Sequence, residues 1–463
     1  MFDIKARGST AGREILGGVT TFMAMSYIVF VQPAVLSKVG MDRGGVFMAT
    51  CIAAGLASII MGFFANYPIA LASGMGENFF FVYTLCGVGA AAWVFKLSWQ
   101  EGMALTVVTG TIFLLLSTVG FRARVLNSIP DSLKSGIAAG IGLFIALIGF
   151  EWGNIVQANP ATGVALADMR GNYVAGLTLI GLAITLALTA FRVRGAILIG
   201  ILATTAITWA CGQVWAVPSV QWHGFMGYPT GLGQTAGKFV GGFASLWNNF
   251  LGGHWVEVIV FAFILLFMDL FDTVGTLVGV AGRAGMIKNG ELPRAERALA
   301  SDAVGTVVGA SLGTSTVTSY IESVAGVEAG ARTGLAAIVA GLCMFVVLFF
   351  QPLVEMVGGG VQIGMLGNDP ILRYPMIAPA LIVVGAMMIR AIRGINWDDI
   401  TETLPAFLTM VAMPFAYSIS AGIAVGFVSY AAGKLVTGRV KECPVLVYVF
   451  AVLFVIRYAV APS

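Results

Sequence analysis

Four carboxylic acids stand inside apolar stretches of the chain, where charged side chains are rare. Asp269 and Asp272 are flanked by Phe, Met and Leu, and their i, i+3 spacing places both on one face of a helix. Glu77 and Glu322 each follow a stretch rich in small or hydroxyl side chains. A midplane aspartate costs roughly 2.5–3.5 kcal/mol on insertion scales, so these residues predict a functional site inside a membrane.

The neighbours of these carboxylates indicate what such a site would bind. Asn78 and Phe79 follow Glu77 directly, and Ser323 follows Glu322. A carboxylate accepts parallel N–H bonds, an amide both donates and accepts, and an aromatic ring covers a flat ligand face. Because these runs contain no Lys or Arg, they favour a small, neutral, N–H-rich solute over an anion. A carboxyl that gains and loses a proton here would couple solute movement to protons.

The composition places these residues in a lipid bilayer. The chain has 463 residues, 58% hydrophobic and 10% charged, with a mean hydropathy of +0.93 and a net charge of +3. Soluble domains carry roughly 25% charged residues. The composition therefore excludes a soluble enzyme, a disordered scaffold and, without a basic field, a nucleic-acid binder. The five cysteines show no CxxC or Cys/His spacing, so neither a metal nor another cofactor is expected.

Apolar runs predict an all-α polytopic membrane protein with fourteen transmembrane segments, seven in each half of the chain. The runs lie at 15–37, 45–65, 69–87, 102–120, 133–150, 173–191, 195–212, 254–282, 296–312, 314–328, 332–351, 376–392, 401–417 and 419–436. The stretch 445–460, which contains Arg457, is either an interfacial helix or an additional span. Basic residues such as Arg122, Arg124 and Lys288 concentrate in alternate loops, which predicts a cytoplasmic N-terminus in the inner cell membrane.

The two halves carry related patterns, which predicts an internal repeat. Phe22–Tyr27 in the first run resembles Phe267–Asp272 in the eighth. Because each copy has an odd number of spans, the second copy would be inverted, as in many secondary transporters. The third and tenth runs are interrupted by helix breakers or strand formers. We therefore expect two short antiparallel strands, within 69–73 and 314–320, each followed by a half-helix whose positive end points at a shared pocket.

Four motifs resemble the adenine/guanine/hypoxanthine permeases, the AzgA-like branch of the nucleobase–ascorbate transporter superfamily. The similarity runs nearly end to end. The motifs are GVTTFMAMSYIVFVQPAVLSKVGMD at 18–42, ANYPIALASGMGEN at 65–78, LFMDLFDTVGTLVGVAGRAGM at 266–286 and TSTVTSYIESVAGVEAGARTGL at 314–335.

The resemblance implies proton-coupled import of the purine bases guanine, hypoxanthine and adenine by a homodimer. It also implies a core domain and a gate domain, each built from two parts of the chain. The core parts are 15–120 and 254–351, and the gate parts are 133–212 and 376–460. The glycines Gly136, Gly140 and Gly142 are expected either where core and gate slide on each other or in ordinary helix packing.

The resemblance assigns roles residue by residue. It implies that Asn78 binds substrate, that Asp269 and Asp272 are the acidic pair of the eighth segment, and that Glu322 is the binding glutamate of the tenth. Glu77 departs from the family, which carries an apolar residue at this position. We expect Asp272 and Glu77 to serve proton coupling or structure, with Asp272 orienting the third and tenth segments.

We hypothesise an elevator-type alternating access in which the core carries the purine past the gate. In this mechanism Glu322 and Asp269 hold the donor edge of the base, and Asn78 reads a second edge. Ser323 and Phe79 complete the predicted substrate site.

Other classes of protein fit parts of the pattern. A uracil or xanthine carrier of the same fold is the nearest alternative. An anion transporter or channel of the same inverted-repeat architecture would need a cation or a carboxyl-poor site, whereas this site is acidic. A membrane aspartyl protease would need its two aspartates on neighbouring helices, whereas Asp269 and Asp272 share one run, so an enzyme is not expected.

Overall fold

The computed structural model of the chain is a bundle of mostly apolar helices. It describes residues 2–88, 95–118, 129–159, 161–215, 220, 222, 224–287, 292–366 and 369–460. Arg122, Arg124 and Lys288, which entered the orientation argument, lie outside these residues, as does the end of the run 102–120.

Within the described residues, nine helical segments are long and apolar enough to cross a membrane. They are Ala11–Val39, Arg43–Ala65, Trp99–Ser117, Asp131–Trp152, Tyr173–Ala190, Ala196–Val214, Leu232–Arg283, Gly334–Gly358 and Ile419–Val436. Ile400–Phe415 and Val445–Ala459 are apolar but shorter. The chain is therefore a helical, multi-pass membrane protein.

The helices and strands are numbered here in chain order. The helices are α1 Ala11–Met25, α2 Ile28–Leu36, α3 Arg43–Ile60, α4 Met75–Phe79, α5 Trp99–Thr118, α6 Asp131–Trp152, α7 Tyr173–Ala190, α8 Ala196–Trp215, α9 Leu232–Thr235, α10 Phe239–Asn249, α11 Trp255–Arg283, α12 Ala295–Leu312, α13 Ser323–Glu328, α14 Gly334–Val347, α15 Gln351–Gly358, α16 Ala378–Met388, α17 Ile400–Phe415, α18 Ile419–Val436 and α19 Val445–Val460. The strands are β1 Leu71–Ser73, β2 Val156–Asn159, β3 Gly163–Leu166, β4 Val317–Ser319, β5 Val361–Leu366 and β6 Asp369–Arg373.

The third and tenth segments are interrupted where they cross the middle of the bundle. Each contains a strand of three residues followed by a short helix, β1 before α4 and β4 before α13. The strands pair antiparallel, with Leu71 opposite Ser319 and Ser73 opposite Val317. The pairing satisfies backbone groups that neither water nor a helix could satisfy at this depth. It also brings the N-termini of α4 and α13 to opposite ends of one small sheet.

Helices of the first half of the chain pack against helices of the second half, and the contacts are reciprocal. Helix α3 packs against α14, and its counterpart α12 packs against α5. Likewise α1 packs on α14 while α11 packs on α5. A separate group forms around α6, which contacts both α16 and α17, while α7 pairs with α8 and α17 with α18. We call α1, α3, α5, α11, α12 and α14 the first group of helices, and α6, α7, α8, α16, α17 and α18 the second group. The sheet β1–β4 lies within the first group, and the short helix α4 also contacts α6 of the second group.

The glycines of the fifth segment pack within the second group of helices. A side chain at Gly136 would meet Ala406 on α17, and one at Gly142 would meet Gly385 on α16. Gly140 faces α17 as well. The expected sliding contact between core and gate is therefore not at these glycines, which serve close packing instead.

Two clusters fasten opposite ends of the bundle. At the end where the chain begins, the buried carboxylate of Glu14 accepts the backbone N–H groups of Arg332 at 2.9 Å and Thr333 at 3.2 Å. At the other end, Lys38 Nζ lies 5.6 Å from the ring centre of Trp152 and 5.0 Å from that of Tyr374. We call this second cluster the Lys38 clamp. Because it joins α2 to the ends of α6 and β6, it connects the two groups of helices.

The C-terminal helix α19 packs lengthwise against α18 and also touches α11. Phe454 is fully buried in this contact. The guanidinium of Arg457 lies 4.8 Å from the ring centre of Phe261 and donates to Ser420 Oγ at 3.0 Å. Since Ser420 begins α18, the two helices run antiparallel over their common length.

Candidate functional site

The candidate site lies where the two short helices, the central sheet and helix α11 meet. The dipoles of α4 and α13 and the glycine-rich approach before α4 leave backbone N–H groups oriented toward this region. The side chains that reach it come from the first, third, eighth, ninth and tenth segments. The geometry separates them into an accessible set and a buried set.

Glu322 and Asp272 form the accessible set. Glu322 is half-buried at the start of α13, the short helix of the tenth segment, and Asp272 is exposed on α11. Glu322 Oε1 accepts a hydrogen bond of 2.8 Å from the hydroxyl of Tyr27, which lies in the break between α1 and α2. Thr318 Oγ1 lies 3.4 Å from Asp272 Oδ2, so strand β4 touches both carboxylate-bearing elements. This set can accept several N–H donors from a ligand.

Asp269 belongs to the buried set. It is 2% exposed, and Thr306 Oγ1 on α12 donates to its Oδ2 at 3.2 Å. The same threonine bonds both the N–H and the C=O of Val317 in β4. Asp269 therefore lies behind the central strand, whereas Asp272, one helical turn further along, faces the accessible side.

Asn78 is held by its carbonyl oxygen. Gln32 Nε2 donates to Asn78 Oδ1 at 3.0 Å, and Ser315 Oγ donates to the same atom. Gln32 also donates to Thr314 Oγ1 at 3.1 Å, which shares a hydrogen bond of 2.6 Å with Ser73 Oγ. Within the described part of the chain, Asn78 Nδ2 is buried without a partner. The network therefore fixes the orientation of the amide and leaves its buried donor side without a hydrogen-bond partner among the described residues.

The remaining predicted residues sit deeper. Ser323 Oγ accepts the N–H of Ala70 at 3.1 Å and thus ties the tenth segment to the third. Phe79 is fully buried, stacks on Tyr83 and meets Phe144 of α6 edge-on. Neither side chain reaches the accessible surface of the site. They hold the segments that carry Asn78 and Glu322.

Glu77 is 1% exposed and lies between the third and eighth segments. Its Oε2 lies against Gly74, and no residue in the described ranges hydrogen-bonds to that atom. Asp272 lies within range of its charge. The two carboxyl groups are therefore close enough to interact electrostatically.

Sequence reasoning missed three polar residues around the site. Gln32 positions Asn78, Tyr27 contacts Glu322, and Asp302 of α12 accepts a hydrogen bond from Ser319 Oγ at 3.1 Å. Gln32 carries a polar side chain deep in an apolar run, which is a signal for function or structure. Tyr27 stands at the position that the repeat pairs with Asp272, and this correspondence could have marked it.

The described residues contain no group of three or more His, Cys, Asp or Glu side chains arranged to hold a metal. The charge of the site is acidic throughout, from Glu77, Asp269, Asp272, Asp302 and Glu322. Such a site attracts a neutral or cationic ligand rich in N–H donors and repels an anion.

Known proteins show which family has this architecture. A model of the permease family labelled Xan_ur_permease matches residues 12–425. The adenine permease AdeP of Escherichia coli K12 is 39% identical over 460 residues, 99% of this chain and 95% of AdeP. The guanine/hypoxanthine permease PbuG of Bacillus subtilis 168 is 38% identical and covers 99% of this chain and 98% of its own.

A solved structure shows the same fold at much lower sequence similarity. The transmembrane domain of the cyanobacterial bicarbonate transporter BicA superposes with a TM-score of 0.61 at 12% identity, covering 89% of this chain and 96% of BicA. The likeness concerns the fold alone. As its motifs predicted, the chain belongs to the permease family, and it is a multi-pass membrane transport protein rather than an enzyme.

Proposed function

We propose that the protein imports purine nucleobases, with adenine, guanine and hypoxanthine as the candidate substrates. The relatives named above as adenine and guanine/hypoxanthine permeases support this class of substrate. The observation that carries the proposal is the accessible pair Glu322 and Asp272, with the unpaired amide donor of Asn78 buried among the same helices. Two carboxylates and one amide donor match a base with several N–H groups and ring nitrogen acceptors.

Asp269 is buried and Asp272 is exposed, and this difference indicates which carboxylates would hold the ligand. Glu322 and Asp272 would accept N–H groups from the base, and Asn78 Nδ2 would donate to a ring nitrogen or carbonyl. Asp269, held by Thr306 behind β4, would position the strand instead. This exchanges the roles that sequence reasoning gave to Asp269 and Asp272.

The acidic pocket opposes the alternative of anion transport. A bicarbonate-like substrate would have to displace or neutralise Glu322 and Asp272, and the described part of the site offers no basic side chain in return. A uracil carrier has the same needs at one edge but takes a smaller, single-ring base, whereas a xanthine carrier takes a purine with a second carbonyl group. Competition between bases therefore separates these alternatives.

The fold supports fourteen membrane segments in an inverted repeat. The nine long apolar segments, the two strand-interrupted segments and the three helices α12, α16 and α17 together match the fourteen predicted runs. The exchanged packing of α3, α5, α12 and α14 supports the inversion. The core would comprise 15–120 and 254–351, and the gate 133–212 and 376–460.

An elevator movement of core against gate is supported by the contacts between them. On the side of the Lys38 clamp, aromatic rings close the boundary, since Tyr83 and Phe144 meet edge-on at 5.8 Å. Towards the end where the chain begins, Asp272, Gly275 and Gly279 are exposed along one face of α11. We infer a state open on the side of the N-terminus, and the distribution of basic residues in the sequence favours the cytoplasmic side of the inner membrane for this opening.

Proton coupling and a homodimer complete the proposal. The buried Glu77 and the nearby Asp272 offer a place where a proton could be taken up with substrate and released on the other side. Exposed apolar residues such as Leu186 and Trp209 on the gate helices could face lipid or a second copy. These features are consistent with the family resemblance.

The experiment is uptake of radiolabelled hypoxanthine, guanine and adenine by cells lacking their own purine carriers. Unlabelled uracil, xanthine and bicarbonate serve as competitors, and a proton ionophore tests coupling. We expect purine uptake that collapses with the ionophore. Uptake that persists without a proton gradient refutes proton coupling, and absence of purine uptake in a well-expressed, folded protein refutes the substrate class.

The two aspartates provide a matched pair of variants. Asp272→Asn should raise the KM for hypoxanthine at least tenfold, because hydrogen bonds to charged groups contribute about 1.5–3 kcal/mol. Asp269→Asn makes the same change on the same helix and should leave KM within about threefold. The reverse result would return the binding role to Asp269.

A further inference from the structure

Tyr27 lies at the one interruption of the first membrane segment. Helix α1 ends at Met25 and α2 begins at Ile28, so Tyr27 occupies the turn between them. Its side chain is 2% exposed, and its ring lies 6.4 Å from that of Tyr320 in the tenth segment. A break at this place aims the side chain across the core rather than along the helix.

The hydroxyl of Tyr27 meets the carboxylate that is central to the site. It donates to Glu322 Oε1 at 2.8 Å, an ordinary O–H···O distance, and the hydrogen bond is charge-assisted when the carboxyl is ionised. One hydroxyl proton can occupy only one acceptor position. The other oxygen of Glu322, and the remaining acceptor capacity of Oε1, stay available to a ligand because Glu322 is half-buried rather than enclosed.

The internal repeat gives an independent reason for this placement. The motif Phe22–Tyr27 corresponds to Phe267–Asp272, so Tyr27 is the first-half counterpart of Asp272. Asp272 is exposed at the site and lies within range of the charge of Glu322. The two halves thus contribute equivalent positions near the same glutamate.

We propose that Tyr27 is a positioning residue for substrate recognition, which fixes the rotamer of Glu322 so that this carboxylate presents its free acceptor positions to the N–H edge of a nucleobase. The inference rests on the proposed function. Without the hydroxyl, Glu322 would have to be ordered by the ligand itself, and that ordering opposes binding. The tyrosine therefore acts on affinity through Glu322 rather than by touching the base.

The test is Tyr27→Phe in purified protein reconstituted into proteoliposomes, with hypoxanthine as the probe. We expect KM and the dissociation constant to rise about tenfold, which corresponds to about 1.4 kcal/mol, while the maximal rate stays within about twofold. The matched control is Tyr430→Phe, which removes a buried hydroxyl that donates to Glu402 Oε1 at 2.6 Å away from the site. The control should leave KM unchanged.

Folding is followed by size-exclusion chromatography and thermal unfolding of each variant. If Tyr27→Phe does not fold, Tyr27→Leu, which also lacks the hydroxyl, carries the same expectation. A folded Tyr27 variant with unchanged KM and dissociation constant overturns the positioning role. If the wild-type protein itself transports no purine, the proposed function fails, and that outcome is distinct from a failure at Tyr27.

Discussion

The Lys38 clamp offers a test of the proposed alternating access. Lys38 follows α2, whereas Trp152 ends α6 and Tyr374 follows β6, and the rings of Trp152 and Tyr374 lie 4.6 Å apart. The clamp is made in the state described here and would have to part when this side opens. Lys38→Met keeps most of the apolar stem but removes the charge, so it should favour the state open on the clamp side.

The contacts of Lys38 determine how large a shift in the equilibrium between the two states we expect. Each cation–π contact contributes about 0.5–2 kcal/mol, depending on how far it is desolvated. Arg43 and Arg373 lie close enough to repel Lys38, and Glu151 attracts it. Because relief of this repulsion offsets part of the loss, we take about 1–2 kcal/mol as the net effect, which is a shift of about five- to thirtyfold in the equilibrium between the two states.

The assay is the KM for external hypoxanthine in cells or right-side-out vesicles. If the competent outward state is a minor one, its enrichment lowers the apparent KM by the same factor until that state predominates. Hydrogen exchange of the backbone at 36–43 and 150–156 should rise in parallel. Lys38→Arg, which retains a cation that stacks on aromatic rings, is the matched control and should behave nearly as the wild type.

An unchanged or higher KM in Lys38→Met, together with unchanged hydrogen exchange, would refute the reasoning. The clamp would then be a static packing contact that does not affect the equilibrium between the two states. A drop in KM for Lys38→Arg as large as that for Lys38→Met would also refute it, because the effect would not follow the charge.

Two further predictions concern carboxylates whose hydrogen bonds stabilise the helix bundle. Glu14→Gln weakens two charge-assisted hydrogen bonds to backbone N–H groups ahead of α14 and should lower the free energy of unfolding by about 1–3 kcal/mol, measured by thermal or denaturant unfolding in detergent. Hydrogen bonds from Thr401 and Arg439 lower the pKa of Asp399, which caps α17, to about 2. The ordinary pKa of an aspartate is about 3.9. The stability that Asp399 contributes is therefore complete above that pH and is lost as the pH falls toward 2. The difference in melting temperature between wild type and Asp399→Asn should be constant from pH 5 to 8 and should disappear below about pH 4.

Each of these predictions has a neighbouring control. Glu296→Gln changes an exposed glutamate in the first turn of α12 and should leave stability unchanged, so an equal loss in both variants would contradict the role of Glu14. Asp398→Asn changes the exposed aspartate directly before Asp399 and should melt like the wild type at every pH. A gap for Asp399→Asn that persists undiminished to pH 2 would show that its charge does not carry the effect.

Much of the architecture could be predicted from local sequence, because hydropathy and helix breakers act over a few residues. The interruptions at Gly74 and before Tyr320 mark the places where a continuous helix fails. Pairing follows, since unpaired strands cannot lie in a membrane. The family could be identified for the same reason, because its motifs are continuous stretches that surround those interruptions.

The orientation of individual side chains could not be predicted in this way. Asp269 and Asp272 share a helix face in the broad sense, yet three residues separate them by about 4.5 Å along the axis and by most of a turn. That difference places Asp269 against Thr306 and leaves Asp272 exposed. Only the packing of α11 against α12 and β4 fixes the rotation that decides between them.

By itself, the sequence determined that the protein lies in a membrane, which segments are broken, where the scarce carboxylates stand and to which family the chain belongs. The tertiary structure alone decided the partners of those carboxylates: Tyr27 for Glu322, Gln32 for Asn78 and Thr306 for Asp269. The physical reason is distance along the chain. A hydrogen bond between residues tens to hundreds of positions apart depends on the relative rotation and depth of two helices, which hydrophobic patterning sets only to within a helix face.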